Sequence, residues 1–267
     1  MVTTTREGFG VNYDEKLKEA TVQMEELATT PLLPQETAQQ VANATRIEHV
    51  WSSNAIEGSR LTKAETAAVL ESGLTVPRRS IADILAAVDL ASAYDYMLDL
   101  AAQKQPLTEA TIRNLNRLVM VKNTPVTAQA GAYRTIAVWP AGRPDHPYVD
   151  PLEVPAEIAK LIDWAKQAAD RLHPVQYAAD LHFRFVSIHP FTDGNGRTAR
   201  LLMNLVLVQA GYPVVNIQPD ELSRTHYLEA LVYGQDQGDL APFENLIADY
   251  VLATLTRRRQ ERATEPE

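Results

Sequence analysis

A chain of 267 residues, 45% hydrophobic and 22% charged, can build a large buried core, as one domain or as a domain with a helical extension. Its net charge of -9 argues against general nucleic-acid binding, and its lack of cysteine excludes a disulfide framework or a thiolate metal site. No apolar run approaches a membrane span and residues 1–7 lack the apolar core of a signal peptide, so a cytoplasmic protein with no membrane partner is expected.

Residues 1–12 read as a mobile arm. Residues 13–28 have the spacing of an amphipathic helix, with Leu17, Met24 and Leu27 on one side, broken by Thr30-Pro31-Leu32-Leu33-Pro34. A second helix is predicted from about Gln35 toward Ile56, with Val41, Ile47, Val50 and Trp51 on its apolar side. It ends in Ser53-Asn54-Ala55-Ile56-Glu57-Gly58. Gly58 suits a C-cap, and Glu57 falls beside the negative end of the helix dipole, where a carboxylate is mildly unfavourable. Residues 1–44 are read as arm and extension to a domain over 45–256. Thr62 and Glu65 form a capping box, Gly73 stops that helix, and Ser80 and Thr108 cap two further packing helices.

Residues 123–151 change character. Tyr133 to Trp139 is rich in strand formers, Pro140 to Asp145 is turn-like, and His146 to Val149 returns as a weaker, proline-bounded strand. The expectation is a β-hairpin over about 131–150, on an otherwise helical protein. Pro155 lies in the first turn of one helix, and Pro174 opens the next, which ends at Ile188 and delivers His189. His182, seven residues earlier, reads as a hydrogen-bonded or core-edge histidine and not as half of a metal pair. Beyond the loop at 189–194 comes an apolar helix to Gly211. A short extended run follows over Val214–Ile217, then a helix from about Asp220 to Tyr233, a polar turn at Gln235–Asp239, and a last helix through Leu255. Arg257 to Arg262 reads as a solvated helix end, followed by a disordered acidic tip, with 257–267 taken as a disordered tail. The fold class is mainly α, with nine to eleven helices.

The chemistry concentrates in Ser-Ile-His189-Pro-Phe-Thr-Asp193-Gly-Asn-Gly-Arg-Thr-Ala-Arg200, a polar loop that opens an apolar helix. Gly194 and Gly196 let backbone N–H groups converge into an anion nest, and the helix adds its positive end, so phosphate is the expected occupant. Asp193 is a hard oxygen ligand suited to Mg²⁺ between phosphates. Asn195 can donate to a phosphate oxygen. Arg197 and Arg200 share a helix face and can fork onto successive phosphates. His189, at the loop entrance, titrates near neutrality and can accept a hydroxyl proton.

This stretch resembles the signature of the Fic family, His-x-Phe-x-(Asp/Glu)-Gly-Asn-Gly-Arg-x-x-Arg, at every specified position, and the likeness extends over about residues 45–250. The resemblance implies the Fic fold, a helical bundle around a central helix–loop–helix. It implies transfer of AMP from Mg²⁺-ATP to a Ser, Thr or Tyr hydroxyl of a protein target, with His189 as base and Asp193 as metal ligand. It also implies nucleotide contacts from Asp193, Gly194, Asn195, Gly196, Arg197, Thr198 and Arg200, with Val138, Tyr227 and Asp236 added. Gly131-x-Tyr133-Arg134 looks like the family's flap, which implies target docking along Ile136, Ala137 and Val138. Ser53-x-x-x-Glu57-Gly58 is similar to the family's inhibitory motif over a helix of about 40–57, which implies that Glu57 pairs with Arg200 and idles bound ATP. The same Glu removes AMP from the target in some relatives. A homodimer is an expected assembly. The rivals are a relative that moves UMP, phosphate or phosphocholine, with Gly196 arguing against the phosphate branch, and a non-catalytic nucleotide-sensing module, against which His189 argues.

Overall fold

A computed structural model describes residues 12–122 and 129–263. The expected arm (1–12, apart from Asn12), the start of the 123–151 region, and residues 264–267 lie outside them. Ten α-helices occur among the described residues. They are α1 (Tyr13–Thr29), α2 (Gln35–Ile56), α3 (Lys63–Ser72), α4 (Ile81–Ala102), α5 (Glu109–Met120), α6 (Val154–Ala168), α7 (Pro174–Ile188), α8 (Asn195–Gln209), α9 (Glu221–Gln237) and α10 (Ala241–Ala263). None of the described helices is long and apolar enough to cross a membrane.

The bundle is built around α8. Its Leu201, Leu202, Met203, Leu205 and Leu207 are all buried, and a helix apolar all round belongs in the middle of a core. α7, α4 and α5 pack on it, while α1 lies on α10 and α10 in turn on α7 and α9. Start and stop signals operate as expected. Thr62 and Glu65 make the full capping box, Ser80 and Thr108 accept from N3 backbone groups, and Gly73 closes α3 in the left-handed conformation. His182 is a buried hydrogen-bonded residue, as expected.

Four expectations need correction. No strand forms among the described residues of 129–153. Among the described residues, the only backbone bond between the two limbs of the expected hairpin is Tyr148 N–H to Val138 carbonyl, 3.1 Å. Pro140, Pro144 and Pro147 remove donors from the ladder. The turn placed at 235–239 is still helix as far as Gln237, and Gly238 is the left-handed cap. The tail over 257–267 is helical to Ala263. Its basic run is not merely solvated: Arg257 pairs with Glu48, Arg259 with Glu26, Arg258 reaches Thr45, and Arg262 donates to the Leu27 carbonyl. Those contacts lash α10 to α1 and α2.

Candidate active site

His189 is the C-cap of α7 and adopts a left-handed backbone, φ 52° and ψ 59°, which is uncommon for a residue with a side chain. The turn projects its imidazole out of the helix line into a cavity of about 280 Å³ shared with Glu57, Tyr148, Gly196, Arg224 and Tyr227. Nδ1 lies 3.2 Å from the Val186 carbonyl. A carbonyl can only accept, so Nδ1 carries the proton and Nε2 keeps its lone pair. Tyr148 stacks on the ring, with centroids 4.0 Å apart and planes 10° from parallel. Burial pulls the imidazole pKa down to about 4, against the Val186 bond and the Glu57 charge, so the ring is neutral at neutral pH.

Arg134 holds this end, and nothing in its sequence setting marked it for that task. The guanidinium, 3% exposed, donates to the carbonyl oxygens of His189 (2.8 Å), Ile136 (2.9 Å), Ile188 (3.5 Å) and Val149. Its own N–H bonds the Pro190 carbonyl at 3.0 Å. One cation thus replaces the missing strand pairing between the two limbs of the flap and ties both to the base. Asn116 was equally unmarked. Its amide nitrogen reaches the Asp193 carbonyl (3.0 Å) and Thr198 Oγ1 (3.3 Å), while its oxygen accepts from Gly131 N–H (3.1 Å).

The loop then turns at Gly194, φ 78°, into the first turn of α8. Asn195 does not aim its amide at the nest. Both ends are committed to Phe191, accepting from its N–H at 3.0 Å and donating to its carbonyl at 2.8 Å. Thr198 is fully buried, with its hydroxyl turned inward to Asn116. Arg197 pairs with Asp193 at 3.1 Å and lies against the Met120 sulfur. Val138 and Asp236 are not among the residues lining the cavity; Pro140, Ala141, Leu231, Val232 and Gln235 are. Asp236 instead pairs with Arg143 of the flap, beside a second cavity. Asn195 and Thr198 thus brace the loop through Phe191 and Asn116, while Val138 and Asp236 stand outside this cavity.

At the far end, Arg200 meets α2. Glu57 N–H turns back to the Asn54 carbonyl, 3.1 Å, and the Ser53 carbonyl is taken by Arg200 Nη2 at 2.8 Å. Arg224 Nε likewise bonds the Ile56 carbonyl at 2.8 Å, so two cations cap the negative end of the helix. Arg200 Nε donates to Ser53 Oγ (2.7 Å), Nη1 to Tyr227 Oη (3.2 Å), and Nη2 also to Glu57 Oε1 (2.7 Å). Gly58, φ 98°, carries the chain away. The Glu57 carboxylate presses on the nest itself, since Gly196 leaves no room for a Cβ beside its Oε1. Partial burial pushes that carboxyl up, but Arg200, Arg197 and His189 outweigh it and hold it below the ordinary carboxylate range. An anion already sits at the N-terminus of α8.

A family model described as Fic/DOC matches residues 106–207. A Fic domain containing signaling protein from Bacteroides thetaiotaomicron is 30% identical, with 94% of this chain and 98% of that one superposed at a TM-score of 0.84. This chain belongs to the Fic/DOC family. Fic-1 (aa134 - 508) from C. elegans superposes at a TM-score of 0.84 with 28% identity, over 94% of this chain and 73% of that one. Among curated Fic relatives, the Protein adenylyltransferase Fic of Nematostella vectensis is 36% identical over 203 residues, 75% of this chain and 46% of that protein. This Fic chain thus spans about half the length of such relatives.

Proposed function

We propose that this Fic protein transfers AMP from Mg²⁺-ATP to a Ser, Thr or Tyr hydroxyl of a protein target and is held idle by Glu57. One observation carries the reading: a carboxylate seated on the anion nest, clasped by Arg200, shares a cavity with a neutral imidazole whose Nε2 is free to accept. The relatives named protein adenylyltransferases support it.

His189 Nε2 takes the hydroxyl proton. The hydroxyl oxygen bonds to the α-phosphorus and the bond to pyrophosphate breaks. The backbone N–H groups at the start of α8, with Arg197 and Arg200, hold the phosphates. Asp193 fits a Mg²⁺ brought in by the nucleotide. Its carboxylate is hard, 64% exposed and beside the nest, and among the described residues no three-ligand metal cluster exists to hold an ion unaided. Bound there, the ion would neutralise charge on the phosphates. Target docking along Ile136, Ala137 and Val138 is supported by the exposure of the first two on the flap. The reverse task, removing AMP from a target, is favoured by Glu57, which stays 40% exposed and faces the same cavity as His189, where it can polarise a water.

The test is to incubate the Glu57→Gly protein with ATP labelled at the α or the γ position and Mg²⁺. The α-label is expected on protein at ten to a hundred times the wild-type rate, since the lost charge-assisted bond is worth about 1.5–3 kcal/mol. Retention of the γ-label would mean phosphate transfer, and retention of neither would leave a binding module.

A further inference from the structure

Arg200 has five N–H groups, and four of them are engaged. Ser53 takes two, through Oγ and its carbonyl, Tyr227 takes one, and Glu57 takes one. Only the Glu57 bond is to an exposed group, so only it can leave without opening the core. The other three must then keep the guanidinium aimed at the nest.

The Tyr227 contact has a direction problem. The phenol oxygen must present a lone pair to Arg200. If its single hydrogen swung toward the guanidinium, the two would repel. That hydrogen therefore needs a fixed acceptor elsewhere. His182 Nε2 lies 3.0 Å from Tyr227 Oη, and both side chains are buried. Accepting at Nε2 forces the imidazole proton onto Nδ1, which has no partner among the described residues. Such an orphan N–H costs about 1–3 kcal/mol, and a phenylalanine would avoid it at a site already flanked by the Phe243 ring, 5.0 Å away. Packing alone does not explain a histidine there; taking the Tyr227 hydrogen does.

We propose that His182 is a positioning residue: by accepting the Tyr227 hydrogen it keeps the phenol's lone pair on Arg200, so the arginine stays oriented for the nucleotide's outer phosphates after Glu57 swings away. The inference rests on the nucleotide-binding half of the function proposed above. Burial and the nearby Arg200 charge support it by holding the His182 pKa down at about 3, which keeps the ring neutral.

The experiment uses the full chain carrying Glu57→Gly and measures ATP and AMP dissociation constants by calorimetry, with AMP transfer alongside. His182→Phe keeps an aromatic ring and loses the acceptor. ATP affinity is expected to fall about five- to tenfold, the usual worth of one neutral hydrogen bond, while AMP, which lacks the outer phosphates, binds as before. His182→Gln, whose amide oxygen can accept, should recover most of the loss. Tyr227→Phe, at a residue that also lines the cavity, should lose at least as much ATP affinity, and the His182→Phe/Tyr227→Phe double variant should be no worse than Tyr227→Phe alone. Unchanged ATP affinity, equal losses for ATP and AMP, or multiplying losses in the double variant would overturn the proposal. If His182→Phe melts early, Tyr227→Phe and His182→Gln carry the test. Absence of transfer in the Glu57→Gly parent would count against the functional reading alone, because the ATP-to-AMP comparison needs no turnover.

Discussion

The segment from His189 to Arg200 is held by opposite means at its two ends. At the base end, one buried cation, Arg134, gathers main-chain carbonyls from α7, from His189 itself and from both limbs of the flap. Nothing there can be withdrawn without unmaking the loop. At the phosphate end the arginine belongs to the segment, and its partners are brought by α2 and α9. Ser53 and Tyr227 are buried; Glu57 keeps 40% of its side chain in solvent. The contrast shows where control can be placed: on the end with one removable ligand, leaving the base undisturbed.

The largest effect that would break this division is at the base. In the Glu57→Gly protein, His189→Ala should reduce label incorporation by about a hundredfold to ten-thousandfold while calorimetric ATP affinity stays near that of the parent. A large loss of ATP binding would mean that the two ends are not separable.

Next comes the asymmetry in stability. Arg134→Gln strips donors from several carbonyls at once and should lower the free energy of unfolding by about 2–4 kcal/mol, read by urea titration. Ser53→Ala removes one hydroxyl and should cost about 1 kcal/mol. Arg134→Gln should also depress transfer to a target more than ATP binding. Equal costs for the two variants would show that the base end is no more rigidly held than the other.

The smallest expected effect is on pH dependence. The working form of His189 is neutral, and its folded pKa is about 4, so transfer should hold level down through pH 5 and fall only as pH drops through about 4. Removing Glu57 takes away a charge that raises this value, so the limb moves lower still in the Glu57→Gly protein. Tyr148→Ala uncovers the ring to water and should move the limb upward, toward the ordinary 6.5. A limb that stays put would show that the stacked phenol does not shield the base.

The helices were legible in the sequence because their punctuation is local. Thr62 with Glu65, Ser80, Thr108, Pro155 and Pro174 each act within a few residues of themselves. The Glu57–Arg200 pair, 143 residues apart, was legible only through the resemblance of two short motifs to a family. What stayed hidden was side-chain direction. The residue types at Asn195 and Thr198 fit phosphate, yet their hydrogen bonds go to Phe191 and Asn116. Arg134 was visible as part of a motif, but its task depends on carbonyls from three segments. The flap failed as a hairpin because Pro147 breaks the returning limb, leaving Tyr148 N–H to Val138 as the one cross-limb backbone bond among the described residues, and Arg134 takes the Ile136 and Val149 carbonyls.

The order of Ser53, Glu57 and Arg200 along the chain has a consequence during synthesis. At about 5–20 residues per second, α2 leaves the ribosome roughly 7–30 seconds before α8. Arg200 is 2% exposed and takes both its Ser53 acceptors from the end of α2, the same end that carries Glu57. The carboxylate that faces the nest is therefore made before the arginine that clasps it.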